Sequence, residues 1–452
     1  MIWADLTPGV QDALTLAALL CPIAVLGAVL LQGYAPWPLV AAMLRRFRWT
    51  ALIFVAVVAG SVAIGVGLIA QERGLRIGTA RAADGFDIVV TAPGSEVTMM
   101  LASVYLQATD APLLDGETYA EIAGAEHVAL AAPLAFGDSV GRAPVVGTTA
   151  DLVTHLAKGP LEGRMFTARH EAVVGAMVPL RLGESFEPAH GVGDGADDHA
   201  HDVDFVVVGR MPVTGTPWDH AVVIPIEAVW GVHGLADGHD AGHDHEDHEA
   251  GDHDHGDDHA AAEHLGPPFD PAYFPGTPAI VVKADSLAAS YALRSRFTRD
   301  RETMAFFPGT VLSQLYAIMG DLRAAMSVMA LVSQALVAAS VLVGLFILTR
   351  LFARHLAVLR ALGAPGRYLM AVVWLFSSVL LGAGALVGLG GGILATWGLS
   401  RILSARTGIA VPATFGWAEL HLVAGFVLVA MVLALLPAIA ALRLPVLARL
   451  RA

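Results

Sequence analysis

Eleven of the chain's 18 histidines fall in two short acidic tracts, residues 184–204 and 237–264. The second tract holds eight of them: His239, His243, His245, His248, His253, His255, His259 and His264. Eleven Asp and Glu residues interleave with these, and there is neither Lys nor Arg. The first tract carries His190, His199 and His201 among seven acidic residues. Neutral imidazole ligates zinc, copper and nickel, and neighbouring carboxylates add oxygen ligands and a negative field that concentrates cations. The pattern predicts weak, exchangeable, multi-site binding of a divalent metal, zinc first, at the eight histidines of the second tract. Glycine spacing and scarce apolar residues deny the tract a core of its own, so a rigid catalytic site is not expected there. A solvated loop that serves only solubility is the competing reading, but such a loop has no need of histidine. A more ordered metal site would recruit His220 or His233. Metalloprotease spacing fails: after His245-Glu246 and His248-Glu249 the positions that need histidine hold Glu249 and Asp252.

Other chemistries are excluded more simply. The two lysines, Lys158 and Lys283, lie outside any G-x-x-x-x-G-K-[ST] loop, so ATP is not bound through a P-loop. The one cysteine, Cys21, lies in an apolar stretch and admits no intrachain disulfide. The first basic residue is Arg45, and Ala18-Leu19-Leu20 precede Cys21, so neither a cleavable secretory signal nor a lipidated cysteine is expected. No catalytic residues are assigned, and no nucleic-acid partner is expected.

The elements that must carry these tracts belong to a membrane protein. Of 452 residues, 56% are hydrophobic and only 15% charged, far from the roughly quarter-charged composition of soluble domains. The net charge of −14 is local, since 18 of the 41 acidic residues lie in the two tracts. A bilayer core needs about 20 apolar residues of helix, and five windows qualify: Ala13–Gln32, Ala51–Ala70, Met326–Thr349, Leu369–Leu399 and His421–Leu442. The first contains Pro22, and leaves a kinked span or an interfacial segment open. Short cytoplasmic loops are enriched in Lys and Arg. Arg45, Arg46 and Arg48, then Arg350, Arg354, Arg360 and Arg367, then Arg443, Arg449 and Arg451 are therefore assigned to the cytoplasm. Residues 71–325 and 400–420 fall on the other side. The expected fold is an α-helical integral membrane protein with four or five transmembrane helices and a large extracytoplasmic α+β domain.

Strand-like runs in that insert are Asp87–Val90, Phe205–Val208, Ala221–Ile224 and Ala279–Val282; helix-compatible stretches are Val97–Gln107 and Ser286–Phe297. In the fourth window Gly384, Gly388 and Gly392 repeat at G-x-x-x-G spacing, which predicts close packing on another helix, with local flexibility as the alternative. No Asp, Glu, Lys or Arg lies within the well-defined windows, so no intramembrane ion relay is expected. Between the third and fourth windows, a short amphipathic helix over 350–368 carries Arg354, Arg360 and Arg367. It offers Leu351, Leu356, Leu359 and Leu362 to a groove and ends at Gly363. A helix lying on lipid phosphates is the other reading of the same residues.

The stretch Arg350–Leu369, centred on Leu359-Arg360-Ala361-Leu362-Gly363-Ala364, resembles the cytoplasmic connection of FtsX-like ABC transporter permeases, the group that includes MacB and LolC. The basic segment Ala41–Trp49, the run Phe86–Val90 and the segment Val207–Asp219 agree with that resemblance, which covers about residues 41–452. The family's glutamate ahead of the Leu-Arg-Ala-Leu-Gly-Ala segment is replaced near His355, and the chain has an additional hydrophobic segment at its start. The resemblance implies three divisions: 41–73 as an amphipathic helix plus transmembrane helix, 74–325 as a MacB-like periplasmic domain, and 326–452 as a permease domain with three spans. Residues 1–40, outside it, are expected from their apolar composition to form an extra span. The resemblance also implies ATPase coupling through Arg354, His355, Leu359, Arg360, Leu362 and Gly363, a separate cytoplasmic ABC ATPase, a homodimer of permeases in the bacterial inner membrane, and no intrinsic cofactor. With the histidine tract it suggests divalent metal handling alongside a periplasmic metal-binding protein. Export of a lipoprotein, peptide or drug, and a non-transporting scaffold that regulates a periplasmic hydrolase, are the alternatives within the group.

Overall fold

The computed structural model describes residues 6–190, 203–239 and 264–442. The chain divides into two compact units. The helical unit (Met1–Arg76, Asp321–Ile402 and Val411–Ala452) contains α1 Pro8–Leu31, α2 Trp37–Arg46 and most of α3 Arg48–Ala83. The α+β unit (Ile77–Gly320 with Leu403–Ala410) follows along the chain. Its elements are β1 Ile88–Thr91, α4 Glu96–Ser103, α5 Gly116–Ala123, β2 Val128–Val140, β3 Ala143–Thr148, α6 Ala150–Ala157, β4 Glu162–Gly163, β5 Glu171–Val174, β6 Ser185–Phe186, β7 Ala189–His190, β8 Phe205–Arg210, β9 Val222–Pro225, α7 Ile226–Val232, β10 Ala279–Ala284, α8 Leu287–Arg299 and β11 Met304–Phe306. The chain then returns through α9 Pro308–Ala361, α10 Gly366–Thr407, α11 Trp417–Leu433 and α12 Leu435–Leu442.

The sheet of the α+β unit runs β11-β1-β10-β2-β3-β9-β5-β8-β4, with β6 beside β8 and β7 beside β2. The long strand β2 is its spine. Residues 128–134 pair with β10, and residues 135–140 pair with β3 across a register shift at Phe136–Ser139, where Gly137 adopts φ +147. Both faces are covered, so the strands read as unbroken apolar runs rather than alternating ones. Ile88 and Val90 of β1 face one core with Tyr119 of α5, Trp230 of α7 and Phe297 of α8. Val89 faces the other, with Met100 of α4, Leu152 of α6 and Trp218. Side-chain caps start three of the helices: Ser95, Asp115 and Ser286 accept from Thr98 N, Thr118 N and Ala289 N.

In the helical unit, α1, α3, α10 and the segment Trp417–Ala440 are long and apolar enough to cross a membrane. Pro22 does not break α1. The window Met326–Thr349 lies inside α9, a single helix of 54 residues. Pro437, lacking an N–H to give to residue 433, separates α12 from α11. One sequence expectation is corrected here. No discrete helix spans 350–368, because no proline interrupts α9 between Pro308 and Pro365; residues 350–361 are its last turns and residues 366–368 already belong to α10.

The helix ends sort into two groups. At one end the Phe352 ring lies 4.7 Å from Phe47 and 5.2 Å from Phe376, Tyr34 lies 5.8 Å from Tyr368, and Arg367 donates to Val29 O at 3.3 Å. At the other, His421 Nε2 meets Asp12 O at 2.9 Å, and Arg73 meets Glu419. The first end gathers Arg45, Arg46, Arg48, Arg354, Arg360 and Arg367, and no Asp or Glu occurs between Arg45 and Gln71 or between Arg323 and Ala418.

Candidate functional site

The turn between α9 and α10 is the first candidate. Gly363 N donates to Arg360 O at 3.1 Å and Ala364 N to Leu359 O at 3.0 Å, with Gly363 at φ +98. This pair of bonds is the Schellman closure of a helix, and only glycine enters that conformation without steric penalty. The turn lifts Leu362 into the open at 79% exposure. Arg354, His355 and Arg360 are also exposed, Leu359 is partly covered by the helical core, and Leu356 is buried in it. The apolar stripe expected to meet a partner is therefore divided. Leu356 holds the hairpin to its own unit, while Leu362 stands at the tip among arginines.

Gly384, Gly388 and Gly392 lie against α3. A Cβ would stand 2.6 Å from Val58 at Gly384, 2.6 Å from the Ala59 carbonyl at Gly388 and 2.8 Å from Val66 at Gly392. Bare backbone is what lets the two helices meet along this stripe. Near its end an apolar cleft of about 340 Å³ is lined by Val66, Ala70, Leu394, Trp397 and Phe415, with no charged group to hold an ion.

The second candidate is the root of the histidine tract. His243, His245, His248, His253, His255 and His259 lie outside the described residues, as do His199 and His201. The first and last histidines are described. Their rings lie 4.9 Å apart, edge to face. Beside them is Glu227, in the first turn of α7, with only 1% of its side chain exposed. Its Oε1 stands 3.7 Å from His239 Nε2 and accepts from Gly266 N at 2.5 Å. Burial, then the neighbouring His264, hold the His239 imidazole below its usual pKa. Asp237 accepts from His239 N at 3.1 Å and from Arg169 at 2.6 Å. Against the burial that would raise it, these bonds keep the Asp237 carboxyl below the usual range. Gly238, at φ +84, sits where a Cβ would stand 2.8 Å from Trp230. His220 packs instead against Gly408, and His233 faces Asp138 at 3.8 Å. Among the described residues no set of three or more His, Cys, Asp or Glu is gathered as a ready-made metal site.

Two acids here escaped sequence reasoning. Glu227 is the one charge in the apolar run Ala221–Val232, and Glu419 the one charge between Arg406 and Arg443. Such isolation was the available signal.

No family model matches the chain, and no curated protein matches it. Among solved structures, the periplasmic region of MacB from Actinobacillus actinomycetemcomitans is similar at 11% identity and TM-score 0.29, with 51% of this chain and 94% of that one covered. The extracellular domain of the noncanonic ABC-type transporter YknZ from Gram-positive bacteria is similar at 10% identity and TM-score 0.26, with 48% of this chain and 98% of that one covered.

Proposed function

We propose that this chain is the membrane subunit of an ABC-type complex of the FtsX/MacB kind, that a separate cytoplasmic ATPase seats on the α9–α10 turn, and that the ATPase cycle moves the α+β domain on the opposite side. The observation that carries this reading is the turn itself. Leu362 is 79% exposed on a glycine-closed hairpin, at an end of the helical unit whose described charges are all arginine. Basic residues belong on the cytoplasmic side, and an exposed leucine at the tip of a closed hairpin fits a groove on a protein. The Leu-Arg-Ala-Leu-Gly-Ala resemblance supports the same use of the turn. Two copies of the chain are expected per complex. The chain itself is assigned no catalysis.

The metal half of the proposal rests on donor chemistry. Histidine and carboxylate in the second tract suit zinc, which is the ligand or cargo rather than a resident cofactor. A photo-crosslinking amino acid at position 362, introduced in cells, tests the ATPase seat. The expected adduct is a protein with a Walker A sequence, and adducts only with lipid would overturn the assignment.

A further inference from the structure

We infer that Glu227, His239 and His264 form one defined divalent-metal site at the root of the histidine tract, filled before the weak sites along it. This rests on the reading that the tract takes divalent metal, and adds where the metal first goes.

The tract leaves the α+β unit at His239 and returns at His264, and the fold brings the two rings to 4.9 Å. His239 Nε2 is buried and makes no hydrogen bond. A buried imidazole nitrogen in that condition is normally satisfied by a partner. Glu227 Oε1 is 3.7 Å from it, beyond hydrogen-bond range. Two ligands about 2.1 Å from one zinc ion at a tetrahedral angle stand about 3.4 Å apart, so 3.7 Å suits a pair that shares an ion. The exposed His264 ring, already edge to face on His239, is the third donor of the inferred site.

The surroundings are built to hold these groups. Gly266 N donates to the Glu227 carboxylate, and Asp237, itself held by Arg169, fixes the His239 backbone. Ligating carboxylates and histidines are characteristically oriented by such bonds. Two imidazoles and one carboxylate make a zinc donor set that leaves the fourth position open. An open position suits an ion that must be passed on.

The test uses the purified full chain and zinc alone, titrated calorimetrically, with cobalt(II) absorption to read geometry. The parent is expected to bind several zinc ions. With the six histidines from His243 to His259 changed to Gln, one tight equivalent should remain, and its cobalt form should show tetrahedral bands. In that background Glu227→Gln and His264→Gln should each weaken binding at least about tenfold. His264 is exposed, so its variant keeps the test valid even where the buried Glu227 variant folds poorly. Loss of the tight equivalent when only the six inner histidines are changed, or unchanged affinity in both single variants, would overturn the site while leaving metal binding by the tract intact. A parent that binds no zinc would overturn both.

Discussion

Arg73 Nη2 lies 2.8 Å from Glu419 Oε1, across 346 residues of sequence, with the glutamate side chain fully buried. Glu419 also accepts from Gly416 N at 3.0 Å, so it caps α11 and joins that helix to α3. Breaking a buried pair strands the remaining charge, which costs about 3–5 kcal/mol. Glu419→Ala should lower the thermal midpoint of the solubilised chain sharply. Glu419→Gln should lower it less, since the amide oxygen still accepts from Gly416.

The glycine stripe offers an internal control. A methyl at Gly388 would stand 2.6 Å from the Ala59 carbonyl, whereas at Gly390 it meets nothing within 4 Å. Overpacking of this kind costs about 1–3 kcal/mol. Gly388→Ala should destabilise the chain in a thermal unfolding assay, and Gly390→Ala should leave the midpoint within experimental error.

At the hairpin, shape and contact separate. Gly363→Ala places a Cβ at φ +98 and should cost about 1–2 kcal/mol. Leu362→Asp changes an exposed tip and should leave the thermal midpoint unaltered. If the leucine seats a partner, the second variant should abolish assembly with the ATPase while folding normally, as read by co-purification.

Glu171 contributes to the pH dependence of the α+β unit. Arg164 donates to Glu171 at 2.6 Å, with help from Thr167 N at 2.8 Å, and the hydrogen bond from Arg164 first of all holds the Glu171 pKa down to about 2. A carboxyl with a depressed folded-state pKa stabilises fully above its unfolded value and loses that contribution as pH falls through the folded one. Wild type should therefore resist exchange of the Thr167 amide more strongly than Glu171→Gln at neutral pH. The two should converge as pH falls from about 4.5 to about 2; a gap that stays constant would contradict the assignment.

Much of this architecture is written in local pattern. Apolar windows mark the four helices that, among the described residues, are long and apolar enough to cross a membrane, and runs such as Ala279–Val282 mark strands because both sheet faces are covered. Gly363 is legible as a helix stop since a Schellman turn asks for glycine. Strand β2 is not legible: its sequence VALAAPLAFGDSV is rich in alanine and carries Pro133 and Gly137, residues that argue against a strand, and only pairing with β10 and β3 makes it one. The start of the coupling segment is equally hidden, because a helix that continues and a helix that begins share the same periodicity. Glu227 and Glu419 find partners far away in sequence, beyond the reach of spacing.

The most direct measurement is ATP hydrolysis by the purified chain in liposomes, alone and with the ATPase captured at position 362. The chain alone should hydrolyse no ATP. The pair should hydrolyse it at a rate that Leu362→Asp returns to that of the free ATPase. Hydrolysis by the chain alone, or a paired rate indifferent to Leu362, would contradict the coupling role.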